Sequence, residues 1–320
     1  MRVPAQCAGR ERGIALIVVL WLTVLLAVIG SSFAYSMRGE ALAARNTMSL
    51  AQARAAADGA VERTAFELLR PRISADVWNA DGQLHAWTDG DIALTATAYD
   101  ESARIDLNAG SEALLKGLLQ NVGGLDAETA QRTLEAILDW RDADEQKRPN
   151  GAEAPEYRAA GSKYLPANAP FESVGELQRV LGVTPSLMAR FARTLTVYSR
   201  QQGVNLATAT RDVLLALPGV TAEQVDAYIA AREDAVRNRL PIPPFPQGQG
   251  FAAAALPVWR IHVLARAPDG VTFARDAVLR PLNDPRRPLV TLLWQEGTPD
   301  PTSEPPATGK SAQENGTGKP

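Results

Sequence analysis

Arg12-Gly13-Ile14-Ala15-Leu16-Ile17-Val18-Val19-Leu20-Trp21 opens a long apolar run. No charged residue occurs from Ile14 to Met37, 24 positions in all. As a helix this run spans roughly 36 Å at about 1.5 Å per residue, enough to cross a hydrocarbon core of about 30 Å. The segment before it carries Arg2, Arg10 and Arg12 against Glu11. A positive flank holds that end in the cytoplasm and places the bulk of the chain outside. Three readings fit the stretch. It is an uncleaved anchor, or a secretory signal with Ser32-Phe33-Ala34 as a small-x-small cleavage site, or a helix that is kept after cleavage at the Gly13/Ile14 junction.

The third reading rests on a resemblance. A short basic leader, a Gly and an unbroken apolar helix resemble the prepilin-peptidase site of type IV pilins and type II secretion pseudopilins. The resemblance implies that prepilin peptidase cuts after Gly13 and that the new N-terminus, Ile14, is methylated. It implies a helix retained both as inner-membrane anchor and as the packing spine of a filament. Most such subunits carry Glu at the fifth mature position, where it pairs with the N-terminus of a neighbour. Here that position is Val18. In that family the missing carboxylate points to the minor subunit that caps the tip.

Composition narrows the function. The 320 residues leave room for one or two domains beyond the anchor, and 46% hydrophobic with 22% charged residues is ordinary for a folded protein. A net charge of -3 argues against a dedicated nucleic-acid binder, which would show a basic face. The only cysteine, Cys7, sits in the leader. A mature chain without it has no disulfide and relies on packing or metal in an oxidising compartment. His85 and His262 are far apart in sequence, which disfavours a His-based zinc site, and a Cys-His catalytic pair has no extracytoplasmic Cys.

Beyond the membrane run, Ala and Leu recur at helical spacing from Met37 to Leu69, and Pro71 stops the helix. One helix from Ile14 to about Arg70 is therefore expected. Leu84 to Trp87 and Ile92 to Tyr99 alternate at period two around the Asp89-Gly90-Asp91 turn, a hairpin. Arg104 to Asn108 reads as a third short strand. From about 108 to 240 the chain turns helical and repeats itself. Ile105-Asp106-Leu107-Asn108 with Leu114-Leu115 and Leu118 aligns without gaps on Val204-Asn205-Leu206-Ala207 with Val213-Leu214 and Leu217. Gly124-Leu125-Asp126-Ala127-Glu128 then matches Gly219-Val220-Thr221-Ala222-Glu223, with four extra residues in the first copy. Each unit reads as helix, Gly turn, helix. Phe171 to Tyr198 forms another such pair, with a helix opening at Ser173 and breaking at Gly182. The Pro-rich run 241–246 is a linker. Strands return at Trp259 to Arg266, Val271 to Leu279 and Pro288 to Trp294, and the composition after Glu296 predicts a disordered tail.

The densest chemistry follows the first helical unit: Asp139-Trp140-Arg141-Asp142-Ala143-Asp144-Glu145, then Gly151-Ala152-Glu153-Ala154-Pro155-Glu156-Tyr157. Acids at a helix C-terminus are disfavoured by the dipole and repel one another. A hard cation bound by oxygen ligands would compensate, and so would solvent with Arg141, Lys147 and Arg148. The spacing is not that of an EF-hand. A paired-carboxylate hydrolase has no partner base in sight.

Asp-Trp-x-Asp-x-Asp, a short gap, Gly-Ala-Glu and a Tyr resemble the signature of the type II secretion protein K family, the large minor pseudopilin. Tyr164, Asn168, Pro170, Ser173, Glu176-Leu177, Gly182 and Val204-Asn205-Leu206 extend the resemblance over about residues 10–295. It implies a pilin-like sheet with a large helical insertion that binds structural Ca²⁺. Asp139, Asp142, Asp144 and Glu153 are the ligands it suggests. The family often has an acid directly after Gly-Ala-Glu. Here Ala154 stands there, and Glu156 is the substitute.

The expected fold is α+β: a long N-terminal helix packed on an antiparallel sheet, with a helical insertion domain. The expected divisions are leader 1–13, spine 14–37, helix and first strands 38–107, insertion 108–240, returning strands 241–295 and tail 296–320. The resemblance implies a non-enzymatic subunit that caps a periplasmic pseudopilus and primes its assembly. Its partners would be I-type and J-type minor pseudopilins and the major pseudopilin. The alternative is a membrane-anchored DNA receptor, because Leu217-Pro218-Gly219-Val220 before a helix resembles a helix-hairpin-helix, whose Gly turn offers N–H groups to phosphate. Asp126, Glu128, Glu223 and Asp226 stand where phosphate would want Lys or Arg, so no nucleic-acid partner is expected. An anchored periplasmic hydrolase finds no Ser-His-Asp or metal-His pattern.

Overall fold

The computed structural model describes residues 12–70, 77–246 and 257–298. The leader before Arg12, the Pro71 stop, the Gln-Gly-Gln-Gly run and the tail from 299 lie outside the described residues. Helix α1, Arg12–Leu69, runs unbroken for 58 residues, so the stretches expected as anchor and spine are one element. The apolar side chains between Leu16 and Phe33 are exposed on all sides of the helix. Among the described residues, this is the one helix long and apolar enough to cross a membrane. Further along, Ala53, Ala57, Ala60, Val61 and Ala65 form a buried stripe of small side chains. Small residues at this spacing let a sheet lie close against the helix.

Strands β1 (Asp81–Asp89) and β2 (Ile92–Asp100) form the expected hairpin, with Gly90 at φ 55° in its turn. The chain then leaves the sheet. A 3-10 turn, Glu101–Ala103, leads to β3 (Ile105–Asp106), α2 (Glu112–Gly117), a π-helical turn (Leu118–Val122) and α3 (Ala127–Arg141). Next come α4 (Ala154–Ala159), a 3-10 segment (Val174–Arg179), α5 (Pro185–Phe191) and β4 (Leu195–Thr196). Helices α6 (Arg211–Leu215) and α7 (Ala222–Arg237) close this body. The chain returns as β5 (Trp259–Arg266), β6 (Thr272–Pro281) and β7 (Leu289–Glu296). The five long strands make one antiparallel sheet in the order β1-β2-β5-β6-β7. The helical body is thus inserted between its second and third strands.

Two expectations are corrected. The strand read at Arg104 to Asn108 shrinks to Ile105–Asp106 and pairs in parallel with Leu195–Thr196, so it belongs to the helical body. Ile105 and Leu107 lie in that body's core. The helix read after Ser173 is a 3-10 segment. It stops short of Gly182, which takes φ 89° and lies so close to Thr133 that a Cβ would crowd its hydroxyl.

The sheet core combines the α1 stripe with Leu94, Ala96, Ala98, Ile261, Val263, Ala265 and Ala277. One charge is buried within it. Arg275 is 3% exposed, donates from Nε to Asp58 Oδ1 at 2.6 Å, and lies against the rings of Phe273 and Trp294. Contacts along α1 orient the sheet. Ser49 bonds Asp269 in the β5–β6 turn, Arg54 lies over Phe273, and Asp58 meets Arg275. Successive turns of α1 therefore climb the sheet away from the membrane run. Asp100 and Trp259, paired across β2 and β5, mark the far end. The helical body leaves and returns there, with Glu101 N–H donating to Val258 O at 2.7 Å.

The repeat is real in three dimensions. Aligned residues Ile105 and Val204, Leu114 and Val213, Leu115 and Leu214, and Leu118 and Leu217 are all buried. Gly124 and Gly219 both take φ 72° before α3 and α7. The two copies touch at Gly117, where a Cβ would overlap the carbonyl of its counterpart Ala216. The four extra residues of the first copy fall in the π-helical turn. Phe245, in the Pro-rich linker, is buried against Tyr228, which pins the linker to the helical body.

Candidate functional site: an acidic loop on the helical body

Helix α3 carries its polar residues onto the face that meets the loop 142–153. Asp139, on its last turn, is fully buried. The Arg148 backbone N–H points at its two carboxylate oxygens at 3.4 and 3.3 Å, and the Arg148 guanidinium lies 3.4 Å away. Gly151 is needed beside it, because a Cβ there would overlap Asp139 Oδ2. Glu135, one turn earlier, accepts from Asn150 N–H at 2.5 Å and from Asn150 Nδ2 at 3.1 Å, and so fixes the loop's return. Trp140 and Tyr157 pack behind the loop with Phe171.

The carboxylates here are under strain. Asp142 Oδ1 and Glu153 Oε1 are buried with no hydrogen-bond partner. Burial, then the charges of Asp139, Asp142, Asp144 and Glu145, push Glu153 up to about 7. Burial also raises Asp139 and Asp142, the latter with help from Asp144. Four predicted residues thus act on one another electrostatically: Asp139, Asp142, Asp144 and Glu153. Glu156 stands apart. Its Oε1 accepts from Lys147 Nζ at 2.9 Å and its Oε2 from the Glu153 backbone N–H at 3.0 Å. Lys147 holds its carboxyl below the usual range. Among the described residues, no three acidic or histidine side chains stand in an arrangement that would itself hold a metal. The donor chemistry nevertheless fits a hard cation: two orphaned carboxylate oxygens, and buried acids whose repulsion a positive charge would relieve.

The model of the family "Type II secretion system (T2SS), protein K" matches residues 92–200, which span β2 to the end of β4 and contain this loop. A type II secretion system protein K from Klebsiella pneumoniae is 30% identical over 230 residues, 65% of this chain and 70% of the relative. The chain belongs to the type II secretion system protein K family. The family's counterpart from Pectobacterium carotovorum subsp. carotovorum is 26% identical over 252 residues, 70% of this chain and 76% of that one. The solved GspK-GspI-GspJ complex of the enterotoxigenic Escherichia coli Type 2 Secretion System matches at TM-score 0.57 and 15% identity. The match covers 82% of this chain and 99% of that one, and it shows a shared α+β fold. Protein K of the type II secretion system is a pseudopilin, and α1 supplies this member's candidate single-pass anchor.

Within this protein K fold, sequence reasoning missed Glu135, Asn150 and Gly151. Glu135 lies outside the acid-rich stretch and Asn150 and Gly151 are its uncharged members, and each matters through a contact across the loop. The helix-hairpin-helix turns are present, but acids follow both. Asp126 caps α3 by accepting from the Glu128 and Thr129 N–H groups, and Asp226 is bound by Arg211 Nε at 2.7 Å. A phosphate at either turn would meet these carboxylates. Gly13 and Ile14, the expected cleavage junction, lie within α1.

Proposed function

We propose that this pseudopilin caps the tip of the type II secretion pseudopilus and helps start its assembly with I-type and J-type minor pseudopilins. One observation carries the reading: the helical body grows from the end of the sheet farthest from the membrane run of α1. Filament subunits stack by laying spine helices side by side. A body of this size at the distal end leaves no place for another subunit above. Val18, in place of the usual Glu, agrees with a subunit that docks beneath nothing. Prepilin peptidase would cut after Gly13 and methylate Ile14, placing the chain in the inner membrane with its bulk in the periplasm. The test is immunogold labelling of pili from cells carrying Lys163→Cys with a thiol-reactive tag. Label confined to filament ends supports the cap, and label along the shaft refutes it.

We propose that the same body would hold a structural Ca²⁺ with Asp139, Asp142, Asp144 and Glu153, which the orphaned oxygens of Asp142 and Glu153 support. When bound, the ion supplies positive charge to carboxylates that otherwise repel. Asp139 is held by the Arg148 backbone, and Gly151 leaves room for it. Glu156 and Lys147 serve the start of α4 and the loop's charge balance instead.

A further inference from the structure

We propose that the arginine-lined seam between the sheet and the helical body docks a carboxylate-bearing surface of a neighbouring minor pseudopilin. This rests on the pseudopilin reading above and assigns the residues that would make the contact. The seam lies at the distal end of the sheet, where Arg104, Arg193, Arg200, Arg260 and Arg280 gather. Two acids serve them, and both are buried and committed. Glu101 takes Arg260 Nε at 2.7 Å, Arg104 at 3.3 Å and the Thr196 hydroxyl. Asp106 accepts from the backbone N–H groups of Asn108, Ala109 and Arg200 and from Ser199 Oγ. The next acid on the sheet face, Asp276, is held by His262 Nδ1 at 2.6 Å.

Positive charge is therefore left over. Burial, with Arg260 and Arg193 nearby, holds Arg104 below the usual guanidinium range despite Glu101. Burial and Arg200 do the same to Arg280, whose guanidinium donates to Tyr198 O at 2.8 Å. Arg193 and Arg200 are exposed, and among the described residues neither side chain makes an ion pair. Two tyrosines complete the surface. Tyr198 lies under Arg260, and Tyr99 stands 41% exposed beside Arg104. Arginine with tyrosine, recessed and half desolvated, is the composition of an interface centre. Planar guanidinium groups match carboxylates two bonds at a time.

The observations favour a protein surface over a polyphosphate. Nucleic acid would need a run of exposed cations along a track. Of these five, Arg193 and Arg200 are exposed, and the remaining three are recessed in the seam.

The test uses the full chain in detergent micelles with the full-length I-type and J-type pseudopilins of the same system. Affinity is measured at rising salt by thermophoresis. Wild-type affinity for at least one partner should fall with salt. The double variant R193E/R200E should bind that partner about tenfold more weakly or worse and lose most of the salt dependence. R193K/R200K keeps the charge and should stay within about threefold. Both variants should melt with wild type, because these side chains are exposed and unpaired. If wild type binds neither partner, the pseudopilin reading itself falls. If wild type binds and R193E/R200E binds equally well, the seam proposal alone is overturned. It is also overturned if the reversal abolishes retention on heparin or anionic vesicles while pseudopilin binding is unchanged.

Discussion

Replacing Glu153 with Gln should change stability in opposite directions with and without calcium. Glu153 is 4% exposed and carries an orphaned Oε1. Its carboxyl is pushed up to about 7 from 4.5 by burial and by four neighbouring acids. The sign follows from linkage. The unfolded chain releases this proton near 4.5 and the metal-free fold only near 7, so the fold binds the extra proton between those values. Metal-free stability from this group is greatest below about 4.5, falls as pH rises to about 7, and stays low above. At about 1.4 kcal/mol per pH decade the full loss is on the order of 3 kcal/mol. At pH 8 in chelator, Glu153→Gln removes that penalty and should raise the melting temperature by several degrees, at about 2–4 °C per kcal/mol for a body of this size. In calcium, wild type gains the binding free energy of the ion and the variant loses a charged ligand, so the order inverts. Melting of the full chain in detergent, followed by circular dichroism at 222 nm, reads both arms. If Gln lowers the melting temperature equally in chelator and in calcium, Glu153 is an ordinary structural acid and the calcium reasoning fails.

Two further perturbations test other joints of the structure. Gly151→Ala places a methyl on Asp139 Oδ2. It should cost about 1–3 kcal/mol and abolish the stabilisation by calcium, seen as equal melting temperatures with ion and with chelator. Asp58→Ala leaves the Arg275 guanidinium buried without its partner. It should cost about 3 kcal/mol, somewhat less for a half-exposed Asp58, and should loosen α1 from the sheet, read as faster amide hydrogen exchange in residues 53–65.

Most of the fold was legible because its signals are local. Charge-free length and helical spacing carry α1, period-two alternation carries β1, β2 and β5, Asp-Gly turns join two pairs of strands, and an apolar run marks β7. What escaped was set at a distance. Ile105–Asp106 becomes a strand only because Leu195–Thr196, some 90 positions away, lies beside it. The π-helical turn Leu118–Val122 was visible as four extra residues, but their conformation was not, since either a loop or a wound-in turn would satisfy the alignment. The 3-10 segment Val174–Arg179 has helical residues in the right order, yet it ends before a Gly182 packed on Thr133.

The acidic loop shows the same division on a smaller scale. Density of carboxylates marked the stretch, the family resemblance picked out Asp139, Asp142, Asp144 and Glu153 within it, and the fold makes them repel one another. Glu156 joins them in the sequence only as a substitute for the family's acid at the position of Ala154. A different local rule applied: Glu three residues into a helix that begins with Ala154-Pro155 returns its carboxylate to the backbone before the helix. Its bond to the Glu153 N–H follows that rule. The position of the loop then limits what its charge can influence. Trp140, Tyr157 and Phe171 behind it belong to the core of the helical body, and among the described residues that core shares none with the sheet core around Arg275 and Asp58. The bodies meet through Glu101, which joins Arg104 and Arg260 to Thr196. A cation at the loop would therefore act first on the helical body, and a change could reach the sheet through the polar seam at Glu101, the Arg280 bond to Tyr198 O and the Asp100 bonds to Asn205 and Thr208.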